Sequence, residues 1–386
     1  MSDADIQKIR VWLRRHGVND KEIDAAISDD RLHLLVLDKI LLPSRRKLTL
    51  TDVADRADLP FDLIRRLWRA LGFPDVAQDD AAFSDVDLDA LNKAETVMAL
   101  GLVNRDSLVD MARVIGSSMA RIAAAEVDTS PLLHSDLSSL ELAQIYRRDA
   151  EKALTAITDL LGYTFRRHLQ VAIWSSVLAA RDDEAGQVVL AVGFADMVGF
   201  TALSQQLSGP ALAEVLARFE ELAYDIVARH GGRVVKMIGD EVMYSATDPA
   251  AGAEIALSLA AAYADDEMLS DVRVGLTYGP VVQREGDLFG PTVNLASRIV
   301  NIAVPGTVVV SEAVHDRLQD DPRYVWRQLR PRYLKGLGRV ALWVMSEAGE
   351  EPSALEGGFR SRRRWLLPET LRQRVEERWG KLTGGE

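Results

Sequence analysis

The apolar residues of this chain change period near residue 187, and that switch limits what the chain can fold into. Up to about Ala185 they recur at helical spacing, as in Ile6, Ile9, Val11 and Trp12, or Ile23, Ala26 and Ile27. Such spacing marks helices that bury one face. Beyond it, short apolar runs such as Val188–Phe194 and Val272–Tyr278 alternate with helical stretches. An all-helical half and a mixed half need separate cores, so a multidomain chain is expected. A length of 386 residues accommodates this.

Within the first half, Gly17-Val18-Asn19-Asp20 reads as a break followed by a helix cap. Leu32–Leu42 reads as a buried helix ended by Pro43, and Leu100–Val127 as another helix closed by the turn Thr129-Ser130-Pro131. Two short helices, Thr51–Ala57 and Pro60–Leu71, flank Asp58-Leu59; with the stretch to Leu91 they loosely resemble the helix-turn-helix part of MerR-type regulators. A compact bundle that binds no DNA is the stronger reading. The acid-rich stretch Asp75–Asp89 and a net charge of −12 both repel phosphates. Leu137–Ala180 reads as a helical pair broken near Gly162, placed to transmit a signal to the second half.

The second half reads as strand Val188–Phe194, helix Pro210–His230, hairpin Arg233–Ile238 with Glu241–Ala246, and helix Ala250–Ala264. Strand Val272–Tyr278, helix Val293–Ile302 and strand Thr307–Ser311 follow, with Gly279-Pro280 as a turn after Tyr278. Tyr324–Leu329 and Val340–Met345 should complete an α+β sheet covered on one face.

Asp196 ends the first strand of this half, and Asp240 sits at the tip of the Gly239-Asp240-Glu241 hairpin. Two carboxylates at neighbouring strand ends can hold two divalent cations and clamp the oxygens of a phosphoryl transfer. Each Asp alone is ordinary cap or turn chemistry. Gly286-Asp287-Leu288-Phe289-Gly290-Pro291-Thr292-Val293-Asn294-Leu295-Ala296-Ser297-Arg298 adds an Asn and an Arg four apart, on one helix face.

With Lys236, these segments resemble the catalytic domain of class III nucleotidyl cyclases from about Gln187 to about Glu347. The resemblance implies a ferredoxin-like fold. It also implies two divalent cations, Mg²⁺ or Mn²⁺, on Asp196 and Asp240, and purine reading by Lys236 and Asp287. Asn294 would orient the ribose, Arg298 would stabilise the transition state, and Lys335 would touch the terminal phosphates. A lysine donor and an aspartate acceptor match the N1 and N6 edge of adenine, so ATP is the expected substrate. Diguanylate cyclases and palm-type polymerases share the Gly-Asp-Glu hairpin, but none of their other motifs is present. A degenerate cyclase fold serving as a regulator or scaffold is the alternative, and the intact set of six residues argues against it.

The layout also resembles soluble actinobacterial adenylate cyclases with an autoinhibitory N-terminal domain associated with pH and lipid-like ligands. A proton effector, through His16, His33, His134 or His168, or a lipid effector is therefore carried as an expectation. In the family the two Asp residues face the Lys/Asp and Asn/Arg pairs of a second domain. One such domain per chain thus implies a head-to-tail homodimer with shared sites.

Expected bounds are 1–135 for a helical regulatory domain, 136–183 for a transmitter, 184–350 for the catalytic domain and 351–386 for a basic, partly helical tail. The chain has no cysteine, no apolar stretch of the roughly 18–20 residues that span a membrane, and an opening Met1-Ser2-Asp3-Ala4-Asp5 unlike a secretory signal. A cytoplasmic protein is expected. In the tail, Arg360-Ser361-Arg362-Arg363-Arg364-Trp365 joins charge to apolar residues, as a membrane-surface or partner helix would, although docking on its own protein is the commoner role.

Overall fold

The computed structural model describes residues 3–43, 47–133, 135–179, 188–334 and 336–349. The chain divides into two compact units, Met1–Ser176 and Val177–Glu386.

The first unit is helical: α1 Asp3–Arg15, α2 Asp20–Ser28, α3 Leu32–Leu41, α4 Leu50–Ala57, α5 Phe61–Ala70, α6 Asp85–Ala99, α7 Arg105–Thr129, α8 Ser139–Ile145 and α9 Glu151–Ala179. Local chemistry sets several of the starts. Capping boxes pair Thr49 with Asp52, Ser84 with Asp87 and Ser138 with Glu141, which satisfies amide groups at the heads of α4, α6 and α8. Two apolar clusters form the interior. One joins Leu50, Val53, Leu63, Ile64 and Leu67 to Phe83 and Leu108. The other joins Ile9, Leu13, Ile23 and Val36 to Leu142 and Tyr146.

Two sequence expectations fail here. The helix predicted from Leu100 starts at Arg105, because Gly101 adopts φ 71 after α6 and Asn104 caps the next helix through Ser107 N–H. The break predicted near Gly162 does not exist, since α9 runs through it. One glycine costs only about 1 kcal/mol in a helix interior. The irregularity lies earlier, in a π-helical turn at Tyr146–Ala150. Among the described residues, no helix is long and apolar enough to cross a membrane.

The second unit is α+β. Its elements are β1 Val188–Met197, α10 Phe200–Ser204, α11 Gly209–Arg229, β2 Arg233–Ile238, β3 Glu241–Ala246, α12 Pro249–Asp265, β4 Val272–Arg284 and β5 Asp287–Phe289. They continue with α13 Pro291–Val300, β6 Val308–Ser311, α14 Glu312–Leu318, β7 Tyr324–Gln328, β8 Arg332–Leu334, β9 Gly338–Val340 and β10 Leu342–Glu347. The main sheet runs β2-β3-β1-β4-β6-β10-β7, with β5 against β4 and a separate β8-β9 ribbon. All its pairings are antiparallel except β4 with β6. The β2-β3-β1-β4 core, with α11 and α12 as its connections, is the ferredoxin-like arrangement.

Alternation along the strands explains the layers. Ala191, Ala195 and Met197 of β1 join Val242, Tyr244 and residues of α11, α12 and α14 in the larger core. Leu190, Val192 and Phe194 point the other way, toward Met243 and toward Ala296 and Val300 of α13. The sheet is therefore covered by α13 on its second face as well, where the sequence suggested one covered face. The turn expected at Gly279-Pro280 is also absent. β4 continues to Arg284, with Pro280 opposite Val189. β6 pairs only with Val274–Leu276 and β5 only with Val282–Arg284, so Pro280 lies between these pairings, where its missing N–H costs neither of them a bond.

Gly275 is where α13 seats. A Cβ there would lie 2.5 Å from the Val300 nitrogen and 2.9 Å from the Ala296 carbonyl oxygen, both backbone atoms that cannot rotate away. Gly275→Ala should therefore lower stability by about 2–3 kcal/mol. Thermal unfolding beside wild type checks this, and an unchanged midpoint would mean that α13 is not held against β4.

Candidate active site

Asp196 is the next residue after Leu190, Val192 and Phe194 on the α13 side of β1. Its cross-strand neighbours are Glu241 on β3 and Arg273 on β4. Directly opposed residues share a sheet face, so three charged side chains form a row across three strands. Arg273 Nη2 donates to Asp196 Oδ2 at 2.7 Å. Asp240 occupies the β2–β3 turn beside Gly239, whose φ of 64 suits a tight hairpin. The Met197 N–H donates to the Asp240 carbonyl at 3.0 Å, tying the hairpin tip to the end of β1.

These acids are crowded and partly desolvated. Burial raises the Asp196 carboxyl above its ordinary range; Arg273 opposes the shift and Asp240 adds to it. Burial likewise raises Asp240, against a backbone hydrogen bond and Arg273. Glu241 is pushed up to about 7, chiefly by burial and then by the charges of Asp196 and Asp240. An excess of hard carboxylate oxygen in a half-buried setting suits Mg²⁺ or Mn²⁺, which would relieve the repulsion. Among the described residues, no group of three or more His, Cys, Asp or Glu is placed to hold a metal by itself. Cations on Asp196 and Asp240 would thus need further oxygen ligands, such as those of a triphosphate.

Lys236 pairs with Met243, and Met243 with Phe194, which places the lysine in the next row of the same face. Opposite it, β4 and β5 form a tight hairpin through Glu285 and Gly286, at φ 54 and 81. Arg233 Nη2 donates to the Gly286 carbonyl at 3.2 Å and holds this hairpin against β2. Lys236 Nζ and Asp287 Oδ2 meet at 2.5 Å, while Asp287 Oδ1 accepts from the Leu288 N–H at 2.8 Å. A cationic donor and an anionic acceptor are thereby set side by side.

Asn294 and Arg298 lie on α13, which starts at Pro291 after Gly290 at φ 124. Thr292 Oγ1 donates to the Pro280 carbonyl at 2.7 Å and anchors that start to β4. Thr292, Ala296, Ile299 and Val300 are buried against the sheet. Asn294 and Arg298 of the same helix are exposed. Lys335 lies outside the described residues, as do His134 and the tail 351–386.

Sequence reasoning missed two participants. Glu241 was visible only as part of the hairpin motif, and Arg273 carried no local signal, since nothing in a strand sequence states its register.

The family model for the adenylate and guanylate cyclase catalytic domain matches residues 184–347, and that for the adenylate cyclase regulatory domain matches residues 3–174. An adenylate cyclase of Streptomyces coelicolor is 33% identical over 81% of this chain and 89% of its own length. One from Glutamicibacter nicotianae is 32% identical over 81% and 82%. A pH-sensitive adenylate cyclase of Mycobacterium tuberculosis is 30% identical over 88% and 87%. With a helical unit followed by a cyclase fold, and relatives matching across both, the chain belongs to the adenylate cyclases that join an N-terminal regulatory domain to a class III catalytic domain.

Proposed function

We propose that the protein converts ATP to 3′,5′-cyclic AMP and pyrophosphate at sites shared between two copies, under control of its helical unit. The observation that carries this reading is the Lys236–Asp287 pair at 2.5 Å, on the same sheet face as Asp196. Lys236 donates to adenine N1 and Asp287 accepts from the N6 amino group, which orients the base. Guanine would oppose donor to donor and acceptor to carbonyl, at about 1–3 kcal/mol for each mispaired group.

Cyclisation is attack of the ribose 3′-hydroxyl on the α-phosphate with departure of pyrophosphate, so positioning and charge neutralisation dominate. Asp196 and Asp240 would hold two divalent cations, which when bound lower the pKa of the 3′-hydroxyl and neutralise the triphosphate. Asn294 orients the ribose by hydrogen bonding. Arg298 presents a permanently charged planar fork to the phosphoryl oxygens as charge builds there. Asn294 and Arg298 are exposed on α13, and in this reading a second copy presents them to the acidic row. Lys335 is assigned to the terminal phosphates.

Residues 1–135 act as the regulatory domain and 136–183 as the transmitter. The test compares cyclic AMP formation from Mn²⁺–ATP by the full chain with that of a fragment starting near Asp183. We expect product from the full chain and more from the fragment, as an inhibitory N-terminal half requires. An active full chain beside an inactive fragment would reverse the sign of control. No product from either would favour the degenerate-scaffold alternative.

A further inference from the structure

The strand that carries Lys236 is irregular at one point. In a regular strand, residues two apart share a face and residues three apart do not. Arg233 and Lys236 are three apart, and both stand on the α13 side of the sheet. Arg233 opposes Ser245, which opposes Val192; Lys236 opposes Met243, which opposes Phe194. Val192, Phe194 and Met243 all belong to the core on that side. The register slips between Val234 and Lys236, so Val235 is an extra residue, a β-bulge with no counterpart on β3. Val234 and Met237 still pack into the larger core on the other face, while Val235 packs on the α13 side. Two of the residues that the bulge brings to one face grip the β4–β5 hairpin. Arg233 Nη2 donates to the Gly286 carbonyl at 3.2 Å, and Lys236 Nζ to Asp287 Oδ2 at 2.5 Å. β2 is an edge strand, separated from β4 by β3 and β1. At about 4.8 Å per strand that is roughly 14 Å within the sheet, so the hairpin reaches β2 only over the sheet face. A bulge bends and twists its strand, and this one sits between the two gripping residues.

We propose that the Val235 bulge and Arg233 are positioning elements for base selection: together they hold the β4–β5 hairpin on β2 so that Lys236 and Asp287 stay side by side. This rests on the reading of those two residues as the adenine pair. Arg233 acts through the carbonyl of Gly286, one residue before Asp287, and so limits where the carboxylate can stand. The bend at Val235 aims Lys236 at Oδ2, while Oδ1 stays on the Leu288 N–H. Each member of the pair is thus fixed by a neighbour that touches no base itself.

The test is kcat/KM for ATP and for GTP, with the thermal unfolding midpoint, in the full chain: wild type, a variant with Val235 deleted, Arg233→Ala, Arg233→Lys, Val235→Ala and Lys236→Ala. Deleting Val235 leaves Val234 opposite Tyr244 and Lys236 opposite Met243, so the ladder becomes regular and the midpoint should hold or rise. The ratio of ATP to GTP should nevertheless fall by roughly 10²-fold, the cost of a small misplacement within a site. Arg233→Ala should lower the ratio by about three- to tenfold, as loss of a hydrogen bond from a charged group does. Arg233→Lys should recover part of it. Val235→Ala retains the bulge and should keep the ratio while lowering the midpoint. A wild-type ratio in the deletion variant or in Arg233→Ala would overturn the proposal, even beside a lowered midpoint, because a merely structural contact behaves that way. The two readings fail separately. Lys236→Ala with a wild-type ratio would remove the base reading itself, whereas a lost ratio there beside an unaltered deletion variant and Arg233→Ala would sink only the bulge and its anchor. Should the deletion variant fail to fold, Arg233, exposed at the surface, carries the test by itself.

Discussion

Asp196→Ala and Lys236→Ala are each expected to be nearly inactive alone and to regain activity when mixed. With Asp196 as the proposed cation ligand, Asp196→Ala should lower kcat by about 10³-fold or more, as expected where charge neutralisation carries the chemistry. Lys236→Ala removes the donor proposed to orient the base. In a head-to-tail dimer, one site takes its acids from the first copy and its Lys236–Asp287 and Asn294–Arg298 pairs from the second. A mixed dimer then has one site with both defects and one with neither. Random pairing puts about half of the chains in mixed dimers with one good site of two, so about a quarter of wild-type activity should return. Co-expressed tagged chains, assayed for cyclic AMP, measure this directly. Recovery near zero would mean that all six residues serve one site within one chain and would overturn the shared-site reading.

The second large effect concerns the base. Asp287→Ala should lower kcat/KM for ATP by about 10²- to 10⁴-fold and lower that for GTP far less, because a site built to pair polar groups rejects through the groups left unpaired. Selectivity therefore falls by the difference. Lys236→Ala acts on the same edge and is expected to be markedly non-additive with it, since the two side chains already bind each other at 2.5 Å. The measurement is kcat/KM for both nucleotides in the two single variants and the double. Equal losses for ATP and GTP would show that the pair supports the site without reading the base.

Much of the fold was legible because it is local. The hairpin Arg233–Ile238 with Glu241–Ala246 is bounded by residues that dictate a tight turn, and the structure has it at those limits. α11 and α12 fall within a residue of their expected bounds, each with proline in its first turn. Long stretches of amphipathic helix in the first unit were equally plain. Errors arose where local preference was weak against packing. Gly162 sits within a 29-residue helix, and Pro280 stays in β4 because it pairs with Val189 of β1 and lies between the stretches that pair with β6 and β5.

What the sequence by itself determined was the order of the elements, the placing of Asp196 at a strand end and Asp240 at a hairpin tip, and the spacing of Asn294 and Arg298 on one helix. These follow from turn chemistry and from the periods of strand and helix, all set within a few residues. Only the tertiary structure decided which side chains meet. Lys236 and Asp287 are 51 residues apart, and Asp196 and Arg273 are 77 apart. Burial fixes which face of a strand points inward, but pairing register between distant strands is a global property of the packed sheet. A shift of one residue would turn Arg273 to the other face, and no local signal forbids it.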